Sequence, residues 1–199
     1  QNRIQAAVIS IIQATTFEKM IHVVTHELPE LLDVDFITLA IEANGLIYNN
    51  VVANNKRRGI YLSAANNTRV YNNTIYGTSD RAGIEIAGMP RGSATLTNNV
   101  VYNNIVSHGS SVYDLYIMPA NGTTITGNSS DYNNFYRTSG IISLRYLDTY
   151  QNLASWRTVT KMDARSISAN SNFLAPGAAV TGYAVMAGSP VIDAGTNLV

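Results

Sequence analysis

The sequence predicts a mainly-β chain, a parallel β-solenoid of about four coils running from about Gly45 to the C-terminus and preceded by an α-helical N-terminal cap. Two observations predict it. First, four short segments align: Ile47-Tyr-Asn-Asn-Val-Val52, Val70-Tyr-Asn-Asn-Thr-Ile75, Leu96-Thr-Asn-Asn-Val-Val101 and Ile125-Thr-Gly-Asn-Ser-Ser130, at spacings of 23, 26 and 29 residues. Second, each is followed by another apolar-alternating run: Gly59-Ile-Tyr-Leu62, Gly83-Ile-Glu-Ile86, Asp114-Leu-Tyr-Ile117 and Ile141-Ile-Ser-Leu144. Alternation of apolar and polar residues is the period of a strand with one buried face. Short strands recurring every ~25 residues without a helical pattern between them describe one turn of a solenoid.

Stacking sets the geometry of the rest. Coils about 4.8 Å apart place equivalent residues above one another. On this alignment Asn50, Asn73, Asn99 and Asn128 form one column, a structural ladder of amides bonding rung to rung. Asparagine also accepts the left-handed backbone that a sharp turn requires. The expected inward stacks are Ile47/Val70/Leu96/Ile125 and Ile60/Ile84/Leu115/Ile142.

These residues resemble the right-handed parallel β-helix proteins, similar to pectate lyases, over about residues 45–199. The resemblance rests on the Asn-Asn-Thr-Ile turn at Asn72–Ile75 and on a C-terminal stretch. That stretch comprises Trp156, Met162-Asp-Ala-Arg-Ser166, Asn172-Phe173 and Gly188-Ser-Pro-Val-Ile-Asp-Ala-Gly195. It implies that 46–148 are the coils and 149–199 the closing segment, with a short helix in Thr149–Thr160. The resemblance implies the right hand, which the usual hand of parallel crossovers supports. It also implies association with polysaccharide, as a lyase or glycoside hydrolase if the chain is an enzyme. The catalytic motifs of such relatives (paired aspartates, Gly-His-Gly, Arg-x-Lys) do not occur in this sequence. That weighs against catalysis.

Residues 1–45 have another character and carry net charge −4, against +4 for the remainder. Ile4, Val8, Ile11 and Ile12 recur at helical spacing, Thr15-Thr-Phe-Glu18 reads as a capping box, and Phe36–Ile41 reads as a strand. Phe17-Glu-Lys-Met-Ile21 and Leu31-Leu-Asp-Val-Asp-Phe36 resemble the N-terminal edge of a GAF-like domain of a bacterial family of unknown function. The two resemblances together make the chain read as a chimera. They also disagree on compartment, since GAF-like relatives are cytoplasmic and β-helix relatives mostly exported. Two roles follow for the first helix: covering an open solenoid end that would otherwise aggregate, and pairing with a copy of itself in a homodimer.

The candidate site lies on the second strand set. Alternation points Tyr61, Glu85, Tyr116 and Ser143 outward in one column, with Asp114 on the same face. Glu85 and Asp114 then stand about 8 Å apart, a separation that suits the acid and base of an inverting glycosidase. Tyr61 and Tyr116 stack on sugar rings in this reading, and Arg57, Arg58, Arg81 and Arg145 hold an anionic sugar. A one-residue slip would turn either carboxylate inward. The plain alternative is a solvated polar face on a non-catalytic structural or interaction module, a truncated or fused solenoid.

Other motifs carry less. Ser107-His-Gly-Ser-Ser111 with Asp114 has the residue types of a serine triad but no nucleophile elbow, and reads as a polar insertion. His22 and His26 have a metal-ligand spacing without a third ligand, and Asp80, Asp114 and Asp131 are scattered, so neither a metal nor a cofactor is expected. Lys56-Arg-Arg58 is too short for a nucleic-acid surface. The Asn-x-Ser/Thr matches follow from the ladder and its turns. There is no cysteine and no 18-residue apolar run, so neither a disulfide framework nor a membrane span is predicted.

Overall fold

A computed structural model of the chain describes residues 45–88, 95–108, 113–118 and 124–198, together with positions 9, 10, 12, 13, 15, 16, 19 and 23. The chain divides into two compact units, Gln1–Ile41 and Glu42–Val199. In the first, residues 9, 10, 12, 13 and 19 are helical and Val23 is buried. Thr16 Oγ1 accepts the amide of Lys19 at 3.2 Å, one residue on from the expected Thr15 cap. The Phe36–Ile41 strand, the GAF-like segments, the end cap and the helix-mediated dimer lie outside the described residues.

The second unit is a stack of parallel coils. The first described coil contributes β1 (Leu46–Tyr48), β2 (Val51–Ala53) and β3 (Arg58–Ser63). The second contributes β4 (Arg69–Tyr71), β5 (Thr74–Tyr76) and β6 (Ala82–Ala87). The third has four strands: β7 (Thr95–Thr97), β8 (Val100–Tyr102), β9 (Ile105–His108) and β10 (Tyr113–Met118). The fourth likewise has β11 (Thr124–Thr126), β12 (Ser129–Asp131), β13 (Asn134–Arg137) and β14 (Leu144–Tyr146). Equivalent strands pair in parallel into three long sheets, β1-β4-β8-β12, β2-β5-β9-β13 and β3-β6-β10-β14, with β7 and β11 forming a short fourth. Ile60, Ile84, Leu115 and Leu144 share a register and, with Val70, Val101, Ile75, Val106 and Phe135, fill the interior.

Among the described residues asparagine turns recur at two corners of the coils, so the expected single ladder is two. At the turn between the first and second sheets, Asn49, Asn72, Asn103 and Tyr132 take φ of 55°. The following residues make the ladder: Asn73 Oδ1 accepts from Asn50 N and Nδ2 at 3.1 and 2.9 Å, Asn104 Oδ1 from Asn73, and Asn133 Oδ1 from Asn104. Asn99 and Asn128 belong to the other turn, where Asn128 Oδ1 accepts from Asn99 N and Nδ2 at 2.9 Å and Asn99 Oδ1 accepts from Thr68 N. The four asparagines aligned from sequence therefore split two and two. The two turns share the same Asn-Asn signature, which is why the alignment merged them. Within each pair the first residue bends the backbone and the second bonds the rungs.

The C-terminal end is closed by the chain itself. β15 (Asp148–Tyr150) turns back antiparallel on β14, and the helix α1 (Leu153–Thr160), capped by Asn152 Oδ1 on the Ser155 amide at 2.8 Å, lays Leu153 and Trp156 on the end of the core. Residues 171–196 then run along the outside: Phe173 and Tyr183 pack on Tyr76 of the second sheet, and Asn103 exchanges two hydrogen bonds with Thr196. Among the described residues no helix is long and apolar enough to cross a membrane.

Candidate functional site

The outer face of the third sheet is built by register. Tyr61 lies beside Glu85, Glu85 beside Tyr116, and Tyr116 beside Arg145. The expected column is thus right for three rungs and shifted by two residues in the fourth, where Arg145 and not Ser143 occupies it. A two-residue shift preserves the face.

Glu85 is only 1% exposed, because arginines from two coils close over it. Arg58 Nε and Arg81 Nε both donate to Glu85 Oε2 at 2.7 Å. The guanidinium of Arg58 lies 4.3 Å from the ring centre of Tyr61, and that of Arg81 lies 5.1 Å from Tyr116. Arg145 donates to Tyr113 Oη at 2.6 Å and lies over the rings of Tyr113 and Tyr116. The result is a lattice of three arginines, three tyrosines and one carboxylate across four rungs. Glu85 holds the Arg81 guanidinium above its already high pKa. Arg57 is exposed at the margin, and its carbonyl accepts the amides of Arg81 and Ala82.

Asp114 does not join this face. It stands level with Gly83, at the corner where the third sheet meets the second, and a Cβ on Gly83 would strike Val106 Cγ1 inside. Its carboxylate, fully buried, lies 2.6 Å from His108 Nε2 and 3.0 Å from Arg137 Nε, and accepts the Ser143 amide at 2.5 Å. The shared outward face expected for Glu85 and Asp114 is therefore corrected: their partners are disjoint and both are buried. The physical reason is a break in alternation at the glycine positions 59 and 83, which turns the next residue in that column toward the core.

Burial pushes the Asp114 carboxyl up to about 6, against the lowering influence of Arg137 and Ser143. Burial, and then the Arg137 charge, push His108 down to about 4. His108, Arg137 and Tyr113 are partners that sequence reasoning did not assign: it set His108 aside within a polar insertion before Asp114, whereas His108 is buried in β9. The signal for the first two was there: once Asn104 is aligned with Asn133, Val106-Ser-His108 falls beside Phe135-Tyr-Arg137, as β9 and β13 pair. Among the described residues no group of three or more acidic or histidine side chains converges to hold a metal.

Residues 33–149 match the sequence profile described as the right handed beta helix region. The chain belongs to the right-handed β-helix family. That description specifies an architecture and no substrate. Comparisons with curated proteins and with solved structures give no match. The β-helix face just described is thus read from its own residues.

Proposed function

We propose that this β-helix is a non-catalytic carbohydrate-binding module that holds a polysaccharide along the outer face of its third sheet. The observation that carries the reading is the Arg-Tyr lattice of Arg58, Tyr61, Arg81, Tyr116, Tyr113 and Arg145, which continues from rung to rung and so fits a polymer lying along the solenoid. Tyrosine rings stack on sugar faces, and guanidinium groups recognise carboxylates. Arginines outnumber Glu85 three to one within the lattice, which supports an acidic polymer. Neither carboxylate is placed for acid–base work: Glu85 is engaged by two arginines and Asp114 is enclosed.

One observation favours a second reading. The guanidinium over Tyr61 already uses one ring face, and Arg58 and Arg81 are both paired with Glu85, which suits a purely structural or interaction module. Affinity electrophoresis on pectate, alginate and neutral glycans separates the two. Retardation by the acidic polymers that disappears in a Tyr61→Ala/Tyr116→Ala variant supports the first. No retardation by any glycan supports the second, and glycan turnover abolished by Glu85→Ala would overturn both.

A further inference from the structure

His108 lies between two acceptors from different coils. Its Nε2 is 2.6 Å from Asp114 Oδ1, and its Nδ1 is 3.3 Å from the carbonyl of Thr78 in the loop 77–81. A neutral imidazole carries one N–H and cannot donate to both. The two contacts coexist only when the pair holds one extra proton, either on the imidazole or on the carboxyl, which would then donate to Nε2. Remove that proton and one contact becomes lone pair against lone pair. The longer contact, to Thr78, is the weaker of the two.

We propose that the His108–Asp114 pair is a proton-dependent latch on the loop 77–81, closed while the pair shares a proton and open once it is lost. The loop ends at Arg81, a member of the Arg-Tyr lattice, so the latch regulates that face. Its effect on glycan binding rests on the function proposed above, whereas the latch itself does not. Among the described residues the charged groups around the pair are few. Arg137 reaches it from β13 and Asp114 belongs to β10; Glu85, the charged residue of β6, is engaged on the outer face by Arg58 and Arg81; β5 carries none. Asp80, in the loop, is exposed. The raised carboxyl of Asp114 places the transition between mildly acidic and neutral pH.

Imidazole ¹⁵N shifts of His108 in the full chain, followed from pH 4.5 to 8.5, read the proton directly, and amide exchange at Gly77 and Ser79, corrected for intrinsic rate, reads the loop. The latch requires one proton lost from the pair together with a drop in protection at these amides of about fivefold, the effect of one hydrogen bond. In Asp114→Asn the side-chain amide supplies a permanent donor to Nε2, so protection should stay high at every pH. Unchanged ¹⁵N shifts, or protection that does not follow them, would overturn the latch, and these wild-type readings decide even if the variant does not fold. Should the latch titrate while glycan affinity stays constant, only its link to the binding face is lost. Absence of glycan binding altogether refutes the proposed function and leaves the latch standing.

Discussion

Ser166 Oγ accepts the backbone N–H of Asn133 at 2.8 Å, in the place where every earlier rung of that ladder has the amide oxygen of the next asparagine. The ladder is thus ended by a hydroxyl that imitates one more rung. Asp163 completes the end: it accepts from Ser130 Oγ, Ser166 Oγ and Asn133 Nδ2 on Oδ1 and from the Trp156 indole on Oδ2. Burial raises its carboxyl pKa, and these donors work against that rise. The Met162–Ser166 stretch is therefore the ladder's terminus, and the helix α1 supplies the tryptophan that seals it.

The internal rungs should matter more than the outermost described one. Asn104 is buried, and its Nδ2 donates to Val70 O, Tyr102 O and Asn133 Oδ1 while its Oδ1 accepts from Asn73. Asn104→Ala strands several buried partners and should cost about 3 kcal/mol. Asn50→Ala, at a solvent-exposed rung, should cost less than about 1 kcal/mol. Urea midpoints at unchanged m-value measure both. Equal losses would mean that the ladder is not the source of the stability.

Asp163→Ala removes the acceptor for four donors at once and should cost about 4 kcal/mol. Trp156 is the one tryptophan of the chain, so its fluorescence reports on this end directly. The variant should show red-shifted emission, since its indole N–H has lost a buried partner. Unchanged emission would mean that the indole is held by packing alone.

How far the sequence anticipated this molecule depended on whether a signal was local. The registers Ile60-Ile84-Leu115 and Tyr61-Glu85-Tyr116 were legible because each strand carries its own alternation. Asn99 was misplaced because both turns of a coil use the same dipeptide, and the fourth coil hid its turn further by setting Tyr132 at the left-handed position. The two-residue shift at Ser143 has a similar cause: Ile142, Leu144 and Tyr146 continue one alternation, so the pattern alone fits two registers two residues apart. The burial of Glu85 and Asp114 was not legible at all. Each has an arginine partner on a neighbouring coil, Arg58 for Glu85 and Arg137 for Asp114, at separations of 27 and 23 residues, which vary with loop length.

The buried pair makes an unusual prediction for stability against pH. Asp114, raised from 3.8 to about 6, by itself contributes stability that is complete below pH 3.8 and lost as pH rises through 6. His108, lowered from 6.5 to about 4, contributes the opposite slope, stability gained as pH rises through the same interval. Folded and unfolded chains both bind one proton at this pair there, and the slopes cancel. Replacing one partner should uncover the other: His108→Gln should lose on the order of 2 kcal/mol between pH 4 and 6, and Asp114→Asn should gain a comparable amount between pH 4 and 6.5. Denaturation series at four or five pH values, each compared with wild type, decide it. Parallel curves for both variants would show that the two groups do not titrate on folding.

Glu85 offers a test that separates an organiser from a catalyst. It neutralises part of the charge of Arg58 and Arg81 while fixing both guanidiniums against the tyrosines. Glu85→Gln keeps a carbonyl acceptor for one arginine and removes the negative charge. The fold should weaken by about 2 kcal/mol, because two clustered cations lose their counter-charge. Under the proposed function, affinity for an acidic glycan should nevertheless rise about two- to fivefold at low salt, the scale of one partly exposed charge, and the gain should shrink as salt screens it. Affinity electrophoresis across a salt series reads both effects. A fall in affinity at low salt would mean that Glu85 contacts the ligand itself, by hydrogen bonds that a charge-neutral amide cannot replace.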